Sequence, residues 1–291
     1  MTNLNTDVPQ DWFEPCAHPG KLEKFRYTAR DYTGTGKRYG KEAEVYLPFG
    51  YDPSKKYRVV YLMHGGNDNE RWMFQKWGKE SLMKNLLDHL FEAALVEDCM
   101  ICAPTYQNPF SPSVNVSTEF FCEELANDLI PAFETAYPTY YDPSAKVSET
   151  REYRAFGGFS MGAATTWWLF AKRPDVTAYY LPMCGDCWCV EVRGGLTKTK
   201  ETVDLLETSL AKAGYGSHDF YLFAGSAVED IAYPNLTPLI GEMKTRDLFR
   251  FGENGSEGNF SYYVRPVGGH DLTTVCRIVY HGLPRLFAPL S

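Results

Sequence analysis

The chain has 291 residues and a formal net charge of −8, with no cluster of Lys or Arg along its length, so a nucleic-acid partner is not expected. Apolar residues make up 44% and charged residues 23%, the balance of a soluble globular chain and not of a disordered one. No apolar run approaches the roughly 20 residues that span a bilayer, so no membrane partner is expected either.

The opening Met1-Thr2-Asn3-Leu4-Asn5-Thr6 lacks the charged and apolar stretches of a secretory signal. That leaves the compartment open between a cytoplasmic chain and a mature form already cleaved of its leader. Beyond residues 1–20, segments 23–32 and 42–48 read as an antiparallel leader pair. Strand-like and helix-like segments then alternate. Residues 57–63 (Tyr-Arg-Val-Val-Tyr-Leu-Met) form a continuous apolar run of the kind found in buried parallel strands. Residues 79–95 read as a helix, with Leu82, Leu86, Leu90 and Ala93 at helical spacing, and 99–103 as a strand. An amphipathic helix is predicted over 118–137, capped by Ser117 or Thr118.

Residues 152–158 lead as a strand into Ser160, and 161–173 read as a helix that stops before Pro174. Strands near 177–183 and 218–224 bracket a helix at about 200–213. A helix over 234–249, a strand at 259–265 and a last helix over 272–287 complete the pattern. With no linker or repeat, the expectation is one α/β domain over 1–291, a mostly parallel sheet with helices on both faces. Gly252, Gly255 and Gly258 mark a variable loop or cap-like insertion at about 235–258, expected to lie over the site.

Sheets of this class place their sites at the carboxyl ends of the strands, and the chemistry-bearing motifs fall there. Gly158-Phe159-Ser160-Met161-Gly162 is a G-x-S-x-G element between a strand and a helix, the context of a nucleophile elbow and hence of an α/β-hydrolase fold. A serine hydroxyl needs an adjacent base. In this fold the chain order is serine, acid, histidine, which leaves His218, His270 and His281. His218 opens a strand at the wrong end of the sheet and His281 lies inside the last helix. His270 follows the last strand directly and is the expected base.

Asp230 and Glu229 follow the preceding strand, and Asp230 is favoured as the acid, with Asp186 the rival. Asp271 is expected to cap the last helix. His64-Gly65-Gly66-Asn67 follows strand 57–63, and its backbone N–H groups, with that of Met161, are expected to form an oxyanion hole; His64 is expected to be structural. No phosphate loop or paired metal ligands compete. Cys184-x-x-Cys187-x-Cys189 lacks a second pair at zinc-site spacing, so neither a metal nor a cofactor is expected, and buried free thiols are the default, with one or two disulfides allowed.

With these residues laid out, the chain resembles the feruloyl (cinnamoyl) esterases of carbohydrate esterase family one, within the esterase D-like group. The resemblance covers roughly residues 20–289. It is carried by Leu62-Met63-His64-Gly65-Gly66, by Asp128-Leu129-Ile130-Pro131 and by Gly157 to Gly162. Gly185-Asp186-Cys187-Trp188, Glu229-Asp230-Ile231-Ala232-Tyr233 and Gly269-His270-Asp271 complete it. The resemblance implies Ser160, Asp230 and His270 as the triad and Trp188 as a wall of the acyl pocket. Tyr106, Phe110 and Tyr233 also follow strands and are candidates for that pocket. The family often carries serine where Cys184 stands. The expected substrate is a small-molecule or polysaccharide ester, above all a hydroxycinnamoyl ester. An acetyl-ester or thioester hydrolase of the same fold, and a non-catalytic carbohydrate-binding protein, are the alternatives.

Overall fold

A computed structural model describes residues 1–76 and 79–290. Strands β1 (Lys21–Arg30) and β2 (Arg38–Leu47) pair antiparallel. There follow β3 (Arg58–Met63), the two-residue strands β4 (Gln75–Lys76) and β5 (Lys79–Glu80), helix α1 (Leu82–Glu92) and β6 (Cys99–Ala103). Helices α2 (Val114–Glu124) and α3 (Ile130–Ala136) flank a π-helical turn, Leu125–Leu129. Next come β7 (Arg154–Phe159), α4 (Met161–Lys172), β8 (Tyr179–Met183), α5 (Gly194–Thr197) and α6 (Thr199–Ala213). The chain closes with β9 (Tyr221–Ala227), α7 (Tyr233–Met243), β10 (Phe260–Arg265) and α8 (Leu272–Gly282).

Eight of these strands form one sheet in the order β1-β2-β6-β3-β7-β8-β9-β10. From β6 to β10 every pairing is parallel; β2 meets β6 antiparallel. This is the mostly parallel α/β-hydrolase arrangement expected from the alternation of segments. Successive residues of β3 show how the sheet is covered twice. Val59, Tyr61 and Met63 pack into the cluster that holds Phe121, Phe133, Trp167 and Leu206. Val60 and Leu62 pack into the opposite cluster, with Leu86, Leu90, Val275 and Ile278. The period of two along a strand divides the side chains between the faces, which is why a strand buried on both sides reads as an unbroken apolar run.

Four departures from the predicted elements have a physical reason in the local sequence. The first amphipathic helix starts at Val114, capped by Ser113 and not by Ser117 or Thr118. The Ser113 side chain accepts from the N–H of Val116, satisfying a donor that the first turn leaves open. The same helix widens into the π turn just before Pro131. A proline ring clashes with the carbonyl four residues back in a regular α-helix and offers no N–H, and one wide turn absorbs the misfit. The last helix ends at Gly282 instead of 287, because Pro284 turns the chain into a short 3-10 segment.

The fourth difference concerns 235–258, expected as an insertion over the site. Its first part is α7, whose Leu236, Leu239, Ile240 and Met243 are core residues. Its remainder is tied to the amino end of β10, through Gly252 to Phe260 and Arg250 to Asn259. That is the end of the sheet away from Ser160.

A charged pair underlies the amino end of β7. Arg154 and Glu134 are both fully buried, at 1% and 2% side-chain exposure. The guanidinium meets the carboxylate in two hydrogen bonds, at 2.6 and 2.9 Å. It also donates to the carbonyl of Val147 and the hydroxyl of Thr150, and Tyr61 donates to the same carboxylate. Removing one partner strands the other charge in the core. Arg154→Met should therefore lower the stability by about 3–5 kcal/mol, read from the urea unfolding midpoint, while Glu134→Leu/Arg154→Met should lose less than Arg154→Met alone.

Candidate active site

Ser160 stands between the last residue of β7 and the first of α4, with φ 55 and ψ −109. A side chain in that region is strained by roughly 1–3 kcal/mol, so the surroundings must hold it. They do so through the Ser160 N–H, which donates to the Met183 carbonyl of β8 at 2.9 Å, and through the Ser160 carbonyl, which accepts from Ala164. The turn is tight enough to need glycine on both sides. A Cβ on Gly162 would lie 2.5 Å from the Met63 carbonyl oxygen, and one on Gly158 would lie 2.6 Å from the Gly162 backbone.

Three residues far apart in the chain meet at this turn. His270 follows β10, and its Nε2 lies 2.9 Å from Ser160 Oγ. Its Nδ1 lies 3.0 Å from Asp230 Oδ1, on the loop after β9. A carboxylate only accepts, so Nδ1 carries the proton; bare Nε2 then accepts from the serine hydroxyl.

Asp230 is buried, and burial by itself raises a carboxyl's pKa. Hydrogen bonds from His270 and the Ala232 N–H, with the Cys184 thiol close by, outweigh that and bring it below the ordinary value. Sequence reasoning left Cys184 without a role: its buried thiol lies against Asp230, and burial together with the Asp230 charge keeps it protonated. Cys184, Asp230 and His270 gather within 4.8 Å. Both imidazole nitrogens are committed to Ser160 and Asp230, so the group does not fit a metal. All eight cysteines are free thiols.

Asp186, the rival acid, is turned elsewhere. It accepts from the Trp188 indole N–H at 3.0 Å and from the Gly195 N–H at 3.0 Å, closing the loop after β8 on itself. Glu229 reaches the N–H of Gly268 instead of the imidazole. Asp271 caps α8, accepting from Thr274.

The turn after β3 is anchored from below. Gly65 is buried, and its carbonyl accepts from His64 Nδ1 at 2.7 Å and from the Tyr106 hydroxyl at 2.9 Å. His64 therefore carries its proton on Nδ1, and its Nε2 accepts from Thr105. Burial holds the His64 pKa down to about 4, so the ring is neutral near pH 7. Lys41 donates to the Thr105 carbonyl and pairs with Glu124, both fully buried, behind this loop. In a trans peptide the N–H points opposite to the carbonyl, so the N–H of Gly66 is aimed away from Tyr106. Gly66 comes within van der Waals reach of Met161: a Cβ there would lie 3.5 Å from the Met161 side chain. Met161 heads α4, where backbone N–H groups have no partner inside the helix.

Ser160 and His270 open onto a cleft of about 880 Å³ that includes Gly66, Arg71, Trp72 and Gln75. Of the four aromatics expected to line a pocket, none borders this cleft. Tyr106 is 2% exposed and braces Gly65 from inside; an aromatic after a strand can face the interior as readily as the rim. Phe110 packs edge-on to Tyr39 under Lys37. Tyr233 opens α7 and is half-buried. Trp188 is half-buried on the loop after β8, its N–H held by Asp186. The aromatics lining this cleft are Phe159 and Trp72, and sequence reasoning missed Trp72. Its indole stacks on Phe159 with centroids 4.9 Å apart and planes 2° from parallel, and Phe159 in turn packs on His270. Trp72 also follows a strand, the criterion that selected Tyr106 and Phe110.

The comparisons with known proteins converge. The structure superposes on a mutant of the feruloyl esterase module of Clostridium thermocellum, complexed with sinapinate, with a TM-score of 0.86 and 31% identity. The match covers 98% of this chain and 94% of that one. A ferulic acid esterase from the anaerobic fungus Anaeromyces mucronatus, in complex with ferulic acid, superposes with a TM-score of 0.70 at 18% identity over 100% of both chains, a likeness of fold. In sequence, the chain is 32% identical over 282 residues to endo-1,4-beta-xylanase Y of Acetivibrio thermocellus, covering 96% of this chain and 24% of the xylanase. A xylanase/feruloyl esterase of Xylanibacter ruminicola is 28% identical over 158 residues. The chain thus spans about a quarter or less of the length of these curated relatives, 24% and 20%. No family model matches.

The buried histidines set an acid limit. His64 and His281 both titrate at about 4 in the folded chain, chiefly through burial. In the unfolded chain they titrate near 6.5, so between 6.5 and 4 the unfolded state binds more protons. Stability is then highest above pH 6.5 and falls as the pH drops toward 4, with His64 alone contributing on the order of 3 kcal/mol. Urea midpoints at pH 7, 5.5 and 4.5 should fall in that order, and His64→Asn should flatten the decline.

Proposed function

The chain belongs to the feruloyl esterases of carbohydrate esterase family one, and on that premise we propose that it hydrolyses hydroxycinnamoyl esters of plant cell-wall polysaccharide through an acyl-enzyme on Ser160. The observation that carries this reading is the unbroken hydrogen-bonded line Ser160–His270–Asp230 at the carboxyl edge of the sheet, opening onto a cleft.

Ser160 Oγ attacks the ester carbonyl carbon while His270 Nε2 takes its proton. The imidazolium is stabilised by Asp230, whose depressed pKa keeps it ionised. The carbonyl oxygen, now an oxyanion, accepts from the N–H of Met161 and from the turn of Gly65, Gly66 and Asn67. Within that turn Gly66 borders the cleft and supplies the donor. The C–O bond to the sugar breaks as His270 returns the proton to the departing oxygen. Water then loses a proton to His270 and adds to the acyl carbon. The hydroxycinnamic acid leaves as Ser160 Oγ regains its hydrogen.

The acyl ring is assigned to the loop after β8, where Trp188 offers a flat indole steadied by Asp186. A small acetyl group has no use for such a surface, which favours the aryl ester over the acetyl reading.

Ser160→Ala should lower kcat/KM for methyl ferulate by about 10³-fold or more with the fold intact; activity retained in that variant would remove the serine from the mechanism. Across methyl ferulate, coumarate, sinapate and small acetyl esters, Trp188→Ala should depress the aryl esters more than the acetyl ones. Equal losses on both would take Trp188 out of the acyl site.

A further inference from the structure

We propose that the cleft beside Ser160 built around Trp72 is the subsite for the sugar half of the ester, the alcohol that leaves, as distinct from the hydroxycinnamoyl half. The proposal rests on the esterase reading above and extends it to the other side of the scissile bond.

Two loops bearing aromatics flank the strand that ends at Ser160, and side-chain contacts, not sheet order, bring the imidazole beside one of them. In the sheet, β7 lies between β3 and β8. The loop after β8 carries Trp188, and the loop after β3 carries Trp72. A tetrahedral intermediate on Ser160 must direct its leaving oxygen toward the imidazole that protonates it. Trp72 is on that flank: it stacks on Phe159, Phe159 packs on the His270 ring at 4.4 Å, and Asp271 beyond His270 lines the same cleft.

The lining chemistry matches a neutral polyhydroxylated ligand. Around the indole stand Asp68, Asn69, Arg71 and Gln75. Gln75 is steadied by Glu44, and the Arg71 guanidinium sits 3.6 Å from Glu70 and 3.9 Å from Glu42. One arginine compensated by neighbouring acids, with Asp68 and Asp271 on the walls, does not recruit an anion. A flat apolar aryl group placed here would cover polar side chains without giving them partners, which costs free energy. A pentose ring offers hydroxyls to those side chains and C–H groups to the indole face. A volume of about 880 Å³ falls within the usual range for a ligand site, roughly 300–1,000 Å³.

The test compares two esters that share one acyl group: methyl ferulate and a feruloylated arabinoxylo-oligosaccharide. The wild type should hydrolyse the oligosaccharide ester with the higher kcat/KM, and Trp72→Ala should cut the ratio of the two by about tenfold or more, chiefly through KM. Trp72→Phe should keep part of the preference. In the Ser160→Ala background, the acyl-free arabinoxylo-oligosaccharide should quench tryptophan fluorescence, a measurement that keeps Trp72 in place should the alanine variant fail to fold. A wild type that cleaves methyl ferulate without preferring the sugar ester, a ratio unchanged by Trp72→Ala, or no quenching would overturn the subsite and leave the esterase standing. Failure on both esters would instead sink the esterase reading itself.

Discussion

Backbone meets backbone where α4 leaves the sheet, and the geometry of the site depends on that contact. Gly162 packs against the carbonyl ends of Met63 and His64 so closely that a methyl group would collide with both. Because the helix enters this low, Ser160 is forced into its unusual backbone conformation and its hydroxyl stands at the rim. Met161, at the head of the same helix, is brought beside Gly66 of the neighbouring loop. Ser160 and the backbone N–H groups beside it are thus positioned by one steric constraint and not by separate devices. His270 and Asp230 arrive independently, on the loops after β10 and β9, and are joined to Ser160 only through hydrogen bonds.

Much of this was legible in the sequence because it is carried by patterns with a fixed physical cause. The apolar run 57–63, the glycine spacing around Ser160, and the serine–acid–histidine order all reflect constraints that act along the chain. What escaped was decided across the chain. Nothing local distinguishes Tyr106, turned inward to Gly65, from Trp72, turned toward the cleft: both follow strands, and only the packing of Phe159 on His270 selects the second. Residues 114–117 read poorly as helix because Val114 and Val116 are β-branched, yet Ser113 caps them and the helix packs on the sheet. Pro238 and Gly241 weaken the helical reading of α7, and four apolar residues pointing at the core override them.

The acid's environment shows how a buried carboxylate is kept ionised. Two donors of different kinds, an imidazole and a backbone amide, bond to Asp230, and a thiol lies close by. The buried Cys184 thiol beside it stays protonated, held so by burial and by the Asp230 charge. Asp186, one loop away, has the same side chain and a different fate. It lacks an imidazole, spends its oxygens on Trp188 and Gly195, and burial raises its pKa above the ordinary value. Two aspartates on adjacent loops are thereby sorted, one into electrostatics and one into architecture.

In the proposed reaction, the double grip on the Gly65 oxygen lowers the cost of each turnover. That amide group cannot swing without surrendering the hydrogen bonds of both His64 and Tyr106 inside a low-dielectric interior, where lost bonds are expensive. Its dipole is therefore oriented once, when the chain folds, and does not have to be reoriented as negative charge builds on an incoming carbonyl. Water in the same place would have to realign with every cycle; here the solvent's reorganisation is replaced by a polar group that is already facing the right way.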